Sequence, residues 1–254
     1  MKTGTAIKSG LILFSALQIS VALAGSGAHG GAHWGYTGET GPAHWGDMKS
    51  EFATCKSGKQ QSPINISGAK STNLPDISFS YQATPLDVVN NGHTIQVNYA
   101  PGSHISVDGK QYELLQFHFH SPSEHEINGK PADMVAHLVH KAADGQLGVI
   151  GVLMKKGGSN PLIEKIWKHM PRHEGEYSKA AIKINVADLL PANKAYYHYS
   201  GSLTTPPCSE GVNWMVLKNT VDVSAAQVDA FTSIFHKSTR PVQPLNGRKL
   251  EVGH

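Results

Sequence analysis

The chain has 254 residues and a formal net charge of +3 at pH 7, with 22 basic and 19 acidic residues and no long run of either sign. This length is sufficient for one sizeable hydrophobic core. The scattered, nearly balanced charges give no basis for a nucleic-acid partner or for electrostatic attachment to a membrane surface.

The first 24 residues have the pattern of a secretory signal peptide. Lys2 and Lys8 precede an apolar stretch over residues 11–23, and Ala22-Leu23-Ala24 is a small-residue cleavage site. The apolar stretch is short for a transmembrane helix, although an uncleaved anchor is the alternative interpretation. We therefore predict an exported protein, periplasmic or secreted, with no membrane span after cleavage.

Residues 25–33 are rich in Gly, Ala and His and predict a flexible arm. No linker, charge block or repeat interrupts residues 34–254, so we predict one domain there. Its short alternating segments predict a mainly β fold of the α+β class, with a large, mostly antiparallel twisted sheet and a few short peripheral helices. The predicted strands are 77–81, 86–90, 94–99, 105–107, 112–120, 134–140, 149–155, 181–184, 196–200 and 212–217.

Turn and capping signals place the hairpins and helices. Asn-Gly or Asp-Gly pairs at 91–92, 108–109, 128–129 and 144–145 predict tight turns, several of them hairpins. Asn160-Pro161 predicts the start of one helix, and Ser224 with Gln227 predicts a capping box at the start of another. The predicted apolar faces contain Leu162, Ile163, Ile166, Trp167 and Met170 in the first helix and Val228, Phe231, Ile234 and Phe235 in the second.

Two histidines alternate with two phenylalanines at residues 117–120. Side chains two apart on a strand point to the same face, so His118 and His120 project together while the phenylalanines pack behind them. His137 lies in a second strand-like segment, and pairing of the two strands would bring three imidazoles together. Three histidines with an open fourth position are typical of catalytic zinc. We predict Zn2+ as the cofactor and these three residues as its ligands.

The other histidines are weaker candidates, because a lone histidine on a strand is usually structural or exposed. His140 lies three residues after His137 and therefore points to the opposite face of its strand. We exclude His140 and His125 as ligands.

Cys55 and Cys208 are the two cysteines of the chain. An exported compartment permits a disulfide, and two cysteines allow one pairing. We predict that disulfide; two free buried thiols are the alternative. Neither residue belongs to a Cys-x-x-Cys motif, which argues against a redox function.

Ten motifs, spread over nearly the whole predicted domain, carry a resemblance to a known family. They are Trp34-Gly35-Tyr36, Gly41-Pro42-Ala43-His44-Trp45, Gln61-Ser62-Pro63-Ile64-Asn65-Ile66, Asn90-Asn91-Gly92-His93, Gln116-Phe117-His118-Phe119-His120, Ser123-Glu124-His125, His137-Leu138-Val139-His140, Gly201-Ser202-Leu203-Thr204-Thr205-Pro206-Pro207, Trp214, and Arg240-Pro241-Val242-Gln243-Pro244-Leu245. In this order they resemble the α-class carbonic anhydrases, especially the exported bacterial type.

The resemblance implies a zinc lyase, a carbonate dehydratase. Its reaction is the reversible hydration of CO2 to bicarbonate and a proton by attack of zinc-bound hydroxide. Thr204 would accept a hydrogen bond from the hydroxide and donate one to Glu124, and Thr205 would help to hold bicarbonate. Considered alone, Thr204 is an ordinary turn threonine. Ester hydrolysis is an implied secondary activity.

The resemblance also assigns a proton path and a substrate pocket. His93 matches the proton shuttle, a task that suits a side chain with a pKa near 6.5, with Tyr36, Asn91 and Gln96 along the water path. A hairpin histidine is the structural alternative for His93, and plain core packing is the alternative for the pocket. The residues that match the CO2 pocket are Val139, Val149, Leu203, Val212 and Trp214.

One departure from the family pattern concerns the third ligand. Gln116 matches the residue that holds His118, but Val135 stands where many members carry a glutamate, two residues before His137. Valine cannot accept a ring N–H, so His137 requires another partner, and zinc retention is expected to differ. Cys55 and Cys208 match the family's cysteine pair, which would fasten the loop of Thr204.

Two alternatives to an active carbonic anhydrase remain at this stage. A catalytically silent relative could act as a binding module, although such relatives typically lose a zinc-ligand histidine and this chain keeps all three. A zinc-dependent esterase is the other alternative. The predicted partner is a small molecule, CO2 or bicarbonate, and the protein is predicted to be a monomer or a homodimer.

Overall fold

A large twisted sheet dominates the computed structural model, which describes residues 33–253. All of them lie in one unit of the chain. The predicted signal peptide and the arm before His33 lie outside the described residues. No helix within residues 33–253 is long and apolar enough to cross a membrane.

The described residues form four α-helices, three short 3-10 helices and sixteen strands. The α-helices are α1 (Trp45–Met48), α2 (Thr54–Ser57), α3 (Pro161–Trp167) and α4 (Ala225–Thr232), and the 3-10 helices cover Gly38–Thr40, Ser50–Phe52 and Val186–Leu189. The strands are β1 (Asn65–Ile66), β2 (Lys70–Ser71), β3 (Ser78–Ser80), β4 (Thr84–Asn90), β5 (Ile95–Asn98), β6 (His104–Val107), β7 (Lys110–His120), β8 (Glu126–Ile127), β9 (Lys130–Pro131), β10 (Met134–Ala142), β11 (Leu147–Lys156), β12 (Tyr177–Ile184), β13 (Tyr196–Ser202), β14 (Glu210–Leu217), β15 (Val221–Val223) and β16 (Glu251–Val252).

Ten strands form the main path of the sheet, in the order β12-β4-β5-β7-β10-β11-β14-β13-β16-β2. The predicted mainly β fold is confirmed, and most neighbours are antiparallel. β11 pairs in parallel with β14 and β15, and β16 pairs in parallel with β2. These parallel pairs join strands that are distant in sequence, since a parallel pair requires a long connection. The sheet is therefore mixed.

All four glycine-containing turn pairs connect antiparallel neighbours, which confirms them as hairpins. They join β4 to β5, β6 to β7, β8 to β9 and β10 to β11. Asp108-Gly109 and Asn128-Gly129 have positive φ at both positions. Asn, Asp and Gly tolerate this left-handed conformation, which matches the twist of the flanking strands.

The two predicted helices are confirmed, with their capping. The side chain of Asn160 accepts hydrogen bonds from Leu162 N and Ile163 N at the start of α3. Ser224 and Gln227 form the capping box of α4. Both predicted apolar faces extend too far, because Met170, Ile234 and Phe235 lie beyond the helix ends. Beyond Trp167 the chain forms hydrogen bonds that span three residues, such as Met170 N to Trp167 O, in place of a further α-helical turn.

The two faces of β10 serve different parts of the molecule. Ala136 and Leu138 enter the main hydrophobic core together with Phe117 and Phe119. Full burial of each phenylalanine contributes about 1.5–3 kcal/mol. Residues 135 and 139 face the opposite side, in a second apolar cluster. As predicted, His140 points away from the face of His137.

His140 is buried on the core side and is held by two hydrogen bonds. Its Nδ1 donates to the Gly148 carbonyl at 3.3 Å, and its Nε2 accepts from the Tyr81 hydroxyl at 2.8 Å. Burial lowers the pKa of His140 to about 3, against an opposing effect of its backbone bonds. The folded protein therefore keeps this ring neutral over a wide pH range.

The neutral state of His140 predicts a specific acid sensitivity. The unfolded chain takes up a proton here near pH 6.5, whereas the folded chain does so only near pH 3. Its contribution to the unfolding free energy is complete above pH 6.5 and is lost as the pH falls toward 3, by about 1.4 kcal/mol per pH unit. His140→Gln, which keeps an acceptor for Tyr81, is expected to remove that slope in urea unfolding between pH 6 and 4.

The exposed His173→Gln variant is the matched control for this measurement. An unchanged slope in His140→Gln would show that His140 does not account for the acid sensitivity.

Candidate metal centre

Strands β7 and β10 bring the three predicted ligand histidines together. They are antiparallel neighbours, with His118 directly opposite His137 and His120 opposite Val135. One nitrogen from each of His118, His120 and His137 lies within 4.8 Å of the other two. Within residues 33–253 this is the group that could hold a metal ion. His125 and His140 lie outside it, as predicted.

Two of the rings are held by hydrogen bonds on the side away from the cluster. His118 Nδ1 donates to Gln116 Oε1 at 2.8 Å, which confirms the predicted contact. His120 Nδ1 donates to the Ser238 carbonyl at 2.5 Å. Each bond places the proton on Nδ1 and leaves Nε2 free to bind a metal. His120 Nε2 is buried with no hydrogen-bond partner in the described structure.

Desolvation keeps two of the three rings, those of His118 and His137, neutral. It lowers the pKa of His118 well below 6.5, with a smaller effect from His120. Desolvation also lowers the pKa of His137, with further effects from His120, His118 and His125. Neutral imidazole is the form that binds a metal. The protein therefore holds these rings ready for metal binding.

Glu124 lies beside the ligand nitrogens. Its Oε1 accepts a hydrogen bond from the backbone N–H of Arg240 at 2.9 Å. Its Oε2 lies 3.6 Å from His120 Nε2 and 3.8 Å from His137 Nδ1. Among the described residues Oε2 has no hydrogen-bond partner. Thr204 is buried, but no bond joins it to Glu124 here, so the predicted contact between them stays a prediction.

The third ligand is the least restrained. His137 Nδ1 faces Glu124, while its Nε2 is buried without a partner in residues 33–253. Val135, two residues earlier on the same strand face, is fully buried and offers no acceptor. His125 Nδ1 is likewise buried without a partner, and the rings of His125 and His137 are 6.1 Å apart. No acceptor among residues 33–253 replaces the missing glutamate at His137 Nε2, and the expected change in zinc retention stays a prediction.

Restoring an acceptor at residue 135 is expected to slow zinc loss. In Val135→Glu a carboxylate could accept the His137 N–H, and partners of this type change metal affinity roughly 10–100-fold. We expect the rate of zinc transfer to a chelator to fall by a factor in that range. Val135→Gln, of the same size but uncharged, separates hydrogen bonding from charge. Equal zinc off-rates in all three proteins would show that residue 135 does not restrain the ligand.

The predicted proton-path residues surround His93. The Asn91 side chain accepts from the backbone N–H groups of His93 and Thr94 and donates to Gln96 at 3.5 Å. Gln96 lies opposite His118 in the sheet. The Tyr36 hydroxyl is buried without a described partner. Burial, with a smaller effect from Glu124, raises the pKa of Tyr36.

The residues predicted for the substrate pocket share one apolar cluster. Trp214 lies 4.9 Å from the His137 ring, measured between centroids. Its indole N–H donates to the Ser202 carbonyl at 2.9 Å, which fixes the ring. The apolar side of the metal centre therefore belongs to the second cluster, whose predicted pocket members are Val139, Val149, Val212 and Trp214, with Leu203 packed against them.

The loop that carries Thr204 and Thr205 is fastened at several points. Leu203 N donates to Ser209 O, and Cys208 N donates to Thr205 O. The predicted disulfide between Cys55 and Cys208 is formed. The loop is thus fixed to the N-terminal part of the domain.

Sequence reasoning missed two residues that support the site. Ser238 orients His120 through a backbone carbonyl, which any residue type can supply, so no sequence signal exists. Arg240 holds Glu124 through its backbone N–H, and its buried guanidinium donates to Gln61 and to the Ser62 and Cys55 carbonyls. In the sequence, Arg240 stands out only as part of the motif at residues 240–245, and nothing there indicates its burial.

The donor set fits a zinc ion. The cluster supplies three imidazoles, and a bound metal would satisfy the orphaned Nε2 of His120. His118 remains partly exposed, so the centre is accessible from one side. Zinc with three histidine ligands and an open position is the usual catalytic arrangement. The sheet and site therefore define a class of β protein with a three-histidine cluster that could hold zinc of the catalytic type.

Comparison with known proteins then identifies the family. Residues 40–253 match the model for eukaryotic-type carbonic anhydrase. The carbonic anhydrase of Pectobacterium carotovorum is 44% identical over 234 residues, covering 92% of this chain and 96% of that protein. The Neisseria gonorrhoeae carbonic anhydrase is 44% identical over 239 residues, covering 93% and 94%. The chain belongs to the eukaryotic-type, or α-class, carbonic anhydrase family.

Solved structures similar to this chain support the same family assignment. A hyperthermostable carbonic anhydrase from an active hydrothermal vent chimney has a TM-score of 0.85 and 52% identity, covering 87% of this chain and 100% of that one. The α-carbonic anhydrase from Thermovibrio ammonificans, solved with the inhibitor sulfanilamide, has a TM-score of 0.84 and 48% identity, covering 89% and 100%.

Proposed function

We propose that this protein catalyses the reversible hydration of CO2 to bicarbonate and a proton at a zinc ion held by His118, His120 and His137. The observation that carries the proposal is the convergence of these three histidines in a chain of this family. Zinc, when bound, supplies the nucleophile by lowering the pKa of a coordinated water to about 7.

The chain's own residues orient the ligand rings and the attacking oxygen, and they bind the substrate and the product. Gln116 and the Ser238 carbonyl hold two ligand rings in the tautomer that presents Nε2. Glu124, fixed by the Arg240 N–H, aligns the Thr204 hydroxyl, which positions the attacking oxygen, and Thr205 holds bicarbonate. CO2 is small and apolar, so it binds against Val139, Val149, Leu203, Val212 and Trp214.

Proton removal completes each turnover. His93 accepts the proton on a ring nitrogen through water held by Tyr36, Asn91 and Gln96, and passes it to buffer. The buried Tyr36 hydroxyl without a protein partner supports such a water path.

We also propose that the protein is exported. The disulfide supports an oxidising compartment, the periplasm or the exterior. Removal of residues 1–24, detected by mass spectrometry of protein from the periplasmic fraction, would test this.

Stopped-flow CO2 hydration with metal analysis tests the function. We expect rapid hydration by the zinc-loaded protein, loss of activity after chelation, and recovery after zinc is added back. Fully zinc-loaded protein without hydration activity would refute the proposal and favour a silent binding module. Ester hydrolysis without hydration would favour an esterase.

A further inference from the structure

Three nearly parallel aromatic rings form a stack at His93. The centroid of the His93 ring lies 3.5 Å from that of Trp34 and 4.8 Å from that of His33, and both pairs are within 9° of parallel, while the His33 and Trp34 centroids are 6.4 Å apart. Trp34 is fixed in turn by edge contacts with Tyr36 and Trp45. His93 therefore packs against Trp34 and has His33 beside it, and His33 is exposed to solvent.

The stack changes the chemistry of His93. Burial, with a smaller effect from His33, lowers its pKa to about 4. The other titratable groups nearby are Tyr36, with ring centroids 6.3 Å apart, and Glu174, whose side chain lies against Gly92. A proton acceptor works best when its pKa is near the working pH. The protonated form of the His93 ring is therefore unfavourable at neutral pH, so a neighbouring acceptor would favour release of the proton.

We propose that His33 is a second proton acceptor, which takes the proton from His93 and releases it to solvent. The inference rests on the proposed function, in which His93 is the first acceptor. The N–H bond on His93 breaks as a proton enters a water molecule shared by the edges of the two rings. That water delivers a proton to a nitrogen of His33, and His93 returns to its neutral state. His33 then loses its proton to buffer.

The decisive variant is His33→Phe, because it keeps an aromatic ring beside His93 and removes the acceptor. At low buffer concentration proton transfer limits turnover, and we expect kcat of His33→Phe to fall roughly tenfold. Loss of a general base that nothing can replace would cost more, but here buffer partly replaces His33. We expect kcat/KM to be unchanged and added imidazole to restore kcat. His104→Phe, which removes a histidine of β6 outside the stack, is the matched control.

His93→Phe separates this inference from the proposed function. If His93→Phe lowers kcat and His33→Phe does not, the second acceptor is refuted while the shuttle role of His93 stands. If His93→Phe has no effect, both roles are refuted. A higher kcat in His33→Phe would show that His33 hinders proton transfer at His93, and would also refute the inference.

An NMR titration of the His93 ring adds a readout independent of turnover. We expect a midpoint near pH 4 in the parent protein and a higher midpoint in His33→Ala, where the neighbouring ring that lowers the pKa of His93 is removed. A midpoint near 6.5 in the parent would remove the need for a second acceptor and overturn the inference.

Discussion

Replacing His120 with alanine is expected to remove stable zinc binding and to lower CO2 hydration by more than about a thousandfold, since loss of even an outer partner of a ligand costs roughly 10–100-fold. His120 is the ligand whose Nε2 is most clearly oriented. Its ring is buried, its Nδ1 is held at 2.5 Å by the Ser238 carbonyl, and its Nε2 has no partner among the described residues. Two imidazoles cannot close a tetrahedral site with one open position.

Zinc content after dialysis and the hydration rate are the two measurements for His120→Ala. Circular dichroism must show that the sheet is retained, and His104→Ala on β6 serves as the matched control. Stoichiometric zinc in folded His120→Ala protein would mean that the cluster is not the metal site.

Removing the disulfide is expected to cost about 2–5 kcal/mol of unfolding free energy. The bond joins residues 153 apart in sequence, and in the chain-entropy model a loop of this length is worth up to about 5 kcal/mol. Both cysteines are buried, so the Cys55→Ser/Cys208→Ser variant also loses packing. Because Cys208 N bonds to Thr205 O, the loop of Thr204 is expected to loosen and hydration to fall as well.

Denaturant unfolding of the double variant and of the parent, with and without reductant, provides the measurement. Reduced parent protein should match the double variant in midpoint, and the oxidised parent should be more stable. A loss below about 0.5 kcal/mol, the scatter of neutral surface changes, would contradict a stabilising disulfide.

Much of the site could be predicted because its signals are local. The spacing of His118 and His120 places both rings on one face of β7, whatever the rest of the chain does. The four hairpin turns and the capping box of α4 likewise depend on residues within a few positions of one another. The extent of α3 and α4 was less predictable, because the apolar pattern continues beyond the last helical turn.

The sequence by itself determined which side chains share a face, where the hairpins turn and that Val135 offers no acceptor to His137. Only the tertiary structure decided that His137 lies opposite His118, that the Ser238 carbonyl orients His120, that His125 also has an unpaired nitrogen, and that His33 lies beside His93. The physical reason is that periodicity and capping arise from short-range backbone geometry. Contacts between distant residues depend on how the whole core packs, and a backbone carbonyl carries no residue identity to read.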